Sequence, residues 1–292
     1  MVATYRLHDR VLANQAARRR FGAASPPVDE LQRELLARLD TDGFAVVPFA
    51  ELADPGLWAA VQKQGAEFIG QTETALAGES GSEELRRRPG KEFVVRAYSF
   101  EGVRLDLDDA WFRACVSDRM LNLANAYLRM WAKLSYVDRW YTVPQAPGSE
   151  RAASQLWHLD FDDKHLLKAF LYLNDVDAEA GPFEYVPGSQ PRGRYDSIWH
   201  WAPLRTGRIP DEKVRTHVPA DGIKTFTGQH GTLILCNTSG LHRGGFSTSK
   251  PRVLATATYC SPASLRALSR RNYTLAPDVL AGLSPQARFA VS

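Results

Sequence analysis

Two histidines and one aspartate in this chain have the types and spacing to hold a divalent metal ion. His158 and Asp160 lie in Gln155-Leu156-Trp157-His158-Leu159-Asp160. Side chains alternate faces along an extended strand, so residues two apart point the same way. An imidazole and a carboxylate so spaced can chelate one ion from a single rigid edge. A third donor, His242, stands in Ser239-Gly240-Leu241-His242-Arg243-Gly244-Gly245, just after the apolar run Thr232 to Cys236. Two imidazoles and a carboxylate on one face of an octahedron leave three positions open, the donor set with which non-haem Fe(II) sites bind a cosubstrate and O2. A His-x-Asp triplet alone carries little weight, because short motifs recur by chance. His165, His200, His217 and His230 have no such company and read as surface or hydrogen-bonded core residues.

Arg252 adds the weight that the triplet lacks. It opens the last apolar run, Val253 to Tyr259. A guanidinium fork grips a carboxylate through two parallel N–H bonds. A keto-diacid such as 2-oxoglutarate offers one end to a metal and a distal carboxylate to that arginine. Ligands carried on strands would keep the geometry fixed.

The elements that must position these groups follow from the pattern of apolar residues. Val28, Leu31, Leu35 and Leu39 recur at helical spacing, and Thr41-Asp42-Gly43 supplies a stop. Phe44 to Phe49 reads as a short buried strand. Asp54-Pro55 caps a helix carrying Leu57, Trp58, Val61 and Phe68. Residues 71–92 turn polar and read as a long mobile loop. Helices are expected near 108–117 and 119–132. Beyond 133, short apolar or alternating runs are punctuated by Gly, Pro, Asn and Asp. The pattern predicts strands near 134–143, 154–160, 167–174, 183–187, 214–218, 222–227, 232–237 and 252–260, which points to a β-sandwich or barrel rather than βαβ units. The expected organisation is an extension over 1–25, one domain over 26–265 and a tail over 266–292. Within that domain a helical part, 26–132, precedes a β-core, 133–260. The tail is expected to be one short helix followed by irregular chain.

Composition limits the partners. With 44% apolar and 24% charged residues, the 292-residue chain reads as an ordinary soluble globular protein. A net charge of +3 gives no reason to expect nucleic acid or an acidic membrane, and the run Arg86-Arg87-Arg88 reads as a solvated loop. Cys115, Cys236 and Cys260 are too few and too scattered for a disulfide framework, so a reduced, cytoplasmic setting is expected. Arg18, Arg19 and Arg20 occupy the place where a signal peptide would be apolar. No run approaches the roughly 18 apolar residues of a membrane span. Oligomeric state is not legible.

Several segments, in order, resemble the phytanoyl-CoA dioxygenase family. They are Leu39 to Val47; Gln155 to Asp160; Phe170 to Val176; Gly181-Pro182-Phe183 with Val186-Pro187-Gly188-Ser189; and the stretch from Gly231 through His242 to Arg252. The similarity spans roughly residues 30–260. The resemblance implies a mainly β fold with flanking helices, built on a double-stranded β-helix, or jelly-roll, core. It also implies Fe(II), 2-oxoglutarate and O2 as requirements, with succinate and CO2 released. Carried across by position, His158, Asp160 and His242 match the iron ligands, and Arg252 matches the arginine that holds the distal carboxylate. Lys168 is a candidate second cationic contact to the cosubstrate. Gln155, Asn237 and Tyr141 are candidates to line its pocket, and Arg96, Trp157, Arg139 and Trp199 are candidates to meet substrate. The insert 191–213 and the polar loop are expected to cover the mouth. Two positions depart from the family's habit: Gln190 stands where relatives often carry His, and Arg243-Gly244-Gly245 replaces a small polar residue that meets the cosubstrate.

A carboxylate at position 160, where halogenases of this scaffold carry a small residue, favours hydroxylation of a small molecule. Desaturation, cyclisation and epimerisation use the same ligands and stay open. Two further readings also remain: a non-catalytic jelly-roll binding protein, and a zinc hydrolase, which also uses histidine and carboxylate donors.

Overall fold

The computed structural model describes residues 13–23, 27–78, 87, 88, 90–98, 102–200 and 207–292. Helix α1 (Gln15–Ala23) precedes α2 (Glu30–Asp42), strand β1 (Phe44–Pro48) and the long helix α3 (Pro55–Ala77). Next come β2 (Arg87–Arg88), β3 (Lys91–Arg96), β4 (Val103–Leu105), α4 (Ala110–Cys115) and α5 (Asp118–Leu128). The core strands are β5 (Lys133–Thr142), β6 (Leu166–Tyr172) and β7 (Phe183–Tyr185). Helix α6 (Asp211–Arg215) then leads to β8 (Lys224–Phe226), β9 (Thr232–Cys236), β10 (His242–Arg243) and β11 (Arg252–Cys260). Helix α7 (Leu265–Ser269), strand β12 (Tyr273–Leu275) and helices α8 (Pro277–Gly282) and α9 (Pro285–Val291) complete the chain.

Helix starts follow local chemistry. Asp29, Asp54, Asp109 and Ser117 each accept a backbone N–H of the first turn, satisfying donors that would otherwise be orphaned. Gly43 ends α2 in the left-handed region at φ 84°, which a side chain resists. It turns the chain straight into β1.

Seven strands form one sheet in the order β1-β9-β6-β11-β5-β3-β2, and three form a second in the order β10-β7-β8. Reciprocal bridging of His158 and His242 extends the smaller sheet by one short antiparallel pairing. The sheets are antiparallel and face each other without closing into a barrel, the expected jelly-roll. A parallel pair, β4 with β12, stands apart.

Strand alternation sorts the core. Leu167, Ala169 and Leu171 of β6 face the helices and pack in one cluster with Leu35, Leu39, Phe112 and Leu121. Phe170 and Tyr172 face the other way and meet Phe183, Tyr185 and Phe226 of the small sheet. All nine residues of β11 are buried, as a central strand covered on both faces requires.

Four expectations are corrected. Helix α3 runs to Ala77, so the polar stretch from 71 begins as helix, and Lys91–Arg96 is strand. Residues 79–86 and 89, the remainder of that expected loop, lie outside the described residues, as do 1–12 and 201–206. The expected strand at 214–218 is replaced by the end of helix α6 and a turn; that helix follows Pro210 and carries Asp211 and Glu212 in its first turn, where they complement the helix dipole. Residues 154–160 form no regular strand: Ala153–Gln155 is a 3-10 turn, followed by extended chain. The segment after 269 is ordered, with Tyr273, Ala287, Ala290 and Val291 buried in the main core.

Candidate metal centre

Backbone pairing brings the three candidate ligands together. The His158 N–H donates to the His242 carbonyl at 2.9 Å, and the His242 N–H donates back to the His158 carbonyl at 3.0 Å. The Asp160 N–H donates to the Thr238 carbonyl at 2.8 Å. Ligand atoms of His158, Asp160 and His242 all fall within 4.8 Å of one another. Nε2 of His158 is 4.0 Å from one Asp160 oxygen, and Nε2 of His242 is 3.8 Å from the other.

Each ring is oriented by its own chain. Nδ1 of His158 lies 2.8 Å from the Leu156 carbonyl, and Nδ1 of His242 lies 2.9 Å from the Gly240 carbonyl. A carbonyl can only accept, so Nδ1 carries the proton and Nε2 presents a lone pair towards the carboxylate. Burial pushes both imidazoles down, His158 well below its usual range and His242 to about 4. Both are therefore neutral at neutral pH, the form that binds a metal. Burial alone would push the Asp160 carboxyl up. The Lys168 ammonium and the two histidines outweigh it and hold the group well below the usual carboxylate range. Two neutral imidazoles and one anionic carboxylate, converging within 4.8 Å of one another, fit a divalent ion.

Lys168 reaches this cluster from β6, with Nζ 2.5 Å from Asp160 Oδ2. The sequence reading placed it against a cosubstrate; in the structure it pairs with the Asp160 carboxylate. Arg252 lies on the same face of the large sheet: Lys168 pairs with Thr258 on β11, and Arg252 is three alternations along that strand. Its side chain is buried, yet it forms no ion pair with any described residue. Nη1 donates to the Gly181 carbonyl, and Nε has no partner among the described residues. A buried guanidinium with an unmet donor and no counter-charge is an anion site by its chemistry. The distal carboxylate of a keto-diacid fits it.

Gly181 is held in place for this contact. It sits at φ +69°, and the following turn packs against Gly245 so closely that a Cβ there would lie 2.1 Å from the Pro182 carbonyl oxygen. Both neighbours are backbone and cannot swing aside. Gly245→Ala is expected to cost about 1–3 kcal/mol, seen as a melting temperature several degrees lower. An unchanged melting temperature would show that the turn gives way.

Other candidate residues lie elsewhere. Tyr141 and Arg139 are on the helix-facing side of β5: the Tyr141 hydroxyl meets Glu73 at 3.4 Å, and Arg139 pairs with Asp109 at 3.1 Å. Trp157 faces away from the ligands and lies under the Arg243 guanidinium, 4.4 Å from its ring centre. Trp199 is buried in the same outer cluster with Val214, Val218 and Leu241. Arg96 does point to the inner face, but it is buried in an ion pair with Asp138. Gln155 is buried, its carbonyl accepting the Ala152 N–H at 3.0 Å and its Nε2 without a partner. Asn237 donates to the Tyr127 hydroxyl at 2.9 Å and accepts the Ser239 N–H at 3.1 Å. It ties the turn before His242 to α5. Asn237→Ala should therefore lower stability by about 1–3 kcal/mol, the cost of buried groups left unpaired, without weakening 2-oxoglutarate binding in a direct titration.

Arg208 was not singled out from the sequence. Ile209 bridges Trp157, with the Ile209 N–H donating to the Trp157 carbonyl at 2.9 Å. No local signal announces that pairing across 52 residues of chain.

Comparisons with known proteins place the chain among related sequences and folds. The L-proline trans-4-hydroxylase of Streptomyces griseoviridis is 26% identical, over 36% of this chain and 47% of its own length. The chain thus spans about half the length of the curated relative it matches. EctD from S. alaskensis, solved with 2-oxoglutarate and 5-hydroxyectoine, superposes with a TM-score of 0.52 at 19% identity, covering 81% of this chain and 77% of that one. AviO1 from Streptomyces viridochromogenes Tue57 gives 0.52 at 20% identity, over 81% and 98%. At such identities the structures speak for the shared fold. No helix among the described residues is long and apolar enough to cross a membrane. The phytanoyl-CoA dioxygenase family model matches residues 39–253, which takes in both histidines, the aspartate and the arginine, and the chain belongs to that family.

Proposed function

We propose that this chain is an Fe(II)- and 2-oxoglutarate-dependent oxygenase that hydroxylates an unactivated C–H bond of a small molecule. The observation that carries this is the convergence of His158, Asp160 and His242 on one point, on the same inner surface as a buried arginine without a counter-ion. When bound, iron and 2-oxoglutarate supply the oxidising chemistry, with O2 and the keto-acid becoming succinate, CO2 and the hydroxyl oxygen of the product.

The chain's own residues supply the rest. His158 and His242 present Nε2 because their Nδ1 protons are engaged by backbone carbonyls. Asp160 stays ionised beside Lys168. Arg252 fixes the distal end of the keto-acid, so that its other end is directed to the three ligands. No side chain has to accept a proton from the substrate carbon. Presence of all three ligands and the arginine speaks against a purely binding role, and the arginine, placed for the far end of a keto-diacid, argues against a zinc hydrolase, which needs a bound water and usually a nearby base. A small metabolite as substrate fits the modest net charge, and a cytoplasmic setting fits the three free cysteines.

The test is anaerobic addition of Fe(II) and 2-oxoglutarate, followed by succinate release against a panel of small metabolites. The expected results are a weak visible charge-transfer band and substrate-stimulated succinate. Both should vanish in Asp160→Ala. Succinate release persisting in that variant would contradict the assignment.

A further inference from the structure

We propose that Arg208 is a specificity-determining residue of this site, and that the substrate it selects carries a carboxylate. The inference rests on the proposed oxygenase reading and names its substrate class.

Position comes first. The antiparallel bridge between Trp157 and Ile209 sets His158 opposite Arg208. Cross-strand neighbours project to the same face, so Arg208 stands on the face that carries the ligand imidazole. Its positive charge acts on His158, Asp160 and His242 alike.

Its state comes second. Arg208 makes no hydrogen bond or ion pair with any described residue. The other cations around the ligands are occupied or already assigned. Lys168 holds Asp160 at 2.5 Å, Arg243 holds Glu184 at 2.7 Å, and Arg266 approaches Asp162 at 3.5 Å. Arg252 is the anchor for the keto-diacid.

Charge gives the third reason. A divalent ion and a dianionic keto-acid cancel, and Lys168 offsets Asp160. Arg252 and Arg208 then leave the pocket positive, and an anionic substrate reduces that excess. A cavity of about 410 Å3, lined by Leu159, Phe161, Gly207 and Arg208, opens beside the same strand pair. Leu159 and Phe161 give it apolar walls and the exposed Arg208 side chain gives it its one charge, which suits a small molecule with an apolar body and a single carboxylate.

The experiment uses the full chain loaded anaerobically with Fe(II) and 2-oxoglutarate. Matched carboxylic acids and their carboxamides, such as L-proline with L-prolinamide, L-pipecolate with its amide and benzoate with benzamide, are titrated at up to millimolar concentration while the visible band is followed. At least one acid is expected to perturb the band where its amide does not. In Arg208→Gln the affinity for that acid should fall about tenfold or more, as loss of a charged hydrogen-bond partner implies. Arg208→Lys should recover part of it. Four results would overturn the proposal: acid and amide behaving alike, the preference surviving in the glutamine variant, every acid remaining silent, or 2-oxoglutarate affinity falling as far as the acid's. The last would make Arg208 a cosubstrate residue. Absence of the band with Fe(II) and 2-oxoglutarate alone, in the unaltered protein, would instead remove the oxygenase reading, and this proposal with it.

Discussion

Arg252→Met is expected to make the metal- and cosubstrate-free protein more stable while nearly abolishing 2-oxoglutarate binding. The two effects have one cause. Arg252 is 7% exposed, its Nε has no partner, and no carboxylate of the described residues compensates its charge. Burial pushes its pKa down, with Tyr172 nearby working the other way. Even buried ion pairs, when replaced by apolar side chains of similar volume, often gain about 1–4 kcal/mol, and an uncompensated charge carries the desolvation cost without the pair's attraction. For a chain of this size, a melting temperature several degrees higher is the expected reading. Removing one partner of a desolvated charge pair costs binding about 2–5 kcal/mol, at least thirtyfold in affinity for 2-oxoglutarate. A thermal melt and a titration of the Fe(II)–2-oxoglutarate band measure the two halves. A destabilised variant that still binds the keto-acid normally would show that Arg252 is structural and that its counter-ion lies within the protein.

The same residue marks how much a sequence can tell. Strand β11 was expected at 252–260 and is found there, because a mostly apolar and β-branched run bounded by Pro251 and Ser261 has few alternatives. The pairing of His158 with Asp160 was legible because strand period is fixed at two. The helix caps at Asp54 and Gly43 were legible for equally local reasons. What was not legible was which face of β5 each residue takes. Asp138 and Trp140 point inward and Arg139 and Tyr141 outward, yet most of the strand is buried on both sides. A strand covered on both faces shows no polar–apolar alternation, so parity cannot be read. Val214-Arg215-Thr216-His217-Val218 misled for the opposite reason. It alternates like a strand, but the proline and acidic residues just before it favour a helix start. Long-range pairings such as Lys168 with Asp160 and Ile209 with Trp157 are set by the packed sheets and leave no trace in local composition.

Lys168→Met separates two roles for that lysine, and the outcomes differ in sign. As a cosubstrate contact, the role its sequence position implies, Lys168 would matter only once 2-oxoglutarate arrives. The variant would then lose keto-acid affinity and keep its metal-free melting temperature. The observed geometry leads elsewhere. Nζ lies 2.5 Å from Asp160 Oδ2, and the two side chains are only 18% and 16% exposed. Removing one partner of a buried pair costs about 3–5 kcal/mol, so the metal-free protein should melt on the order of ten degrees lower. A divalent ion then takes over as counter-charge to Asp160. The metal-bound variant should regain most of the loss, and the rise on adding metal should exceed that of the unaltered protein. Since stabilisation by a ligand follows its affinity for the folded state, the larger rise also means tighter metal binding. Repulsion points the same way, because the lysine is a like charge beside the incoming ion. Melting curves with and without Co(II), in both proteins and without 2-oxoglutarate, are sufficient. A smaller metal-induced rise in the variant would mean that Lys168 holds the carboxylate in binding posture, and that losing this alignment outweighs the charge it removes.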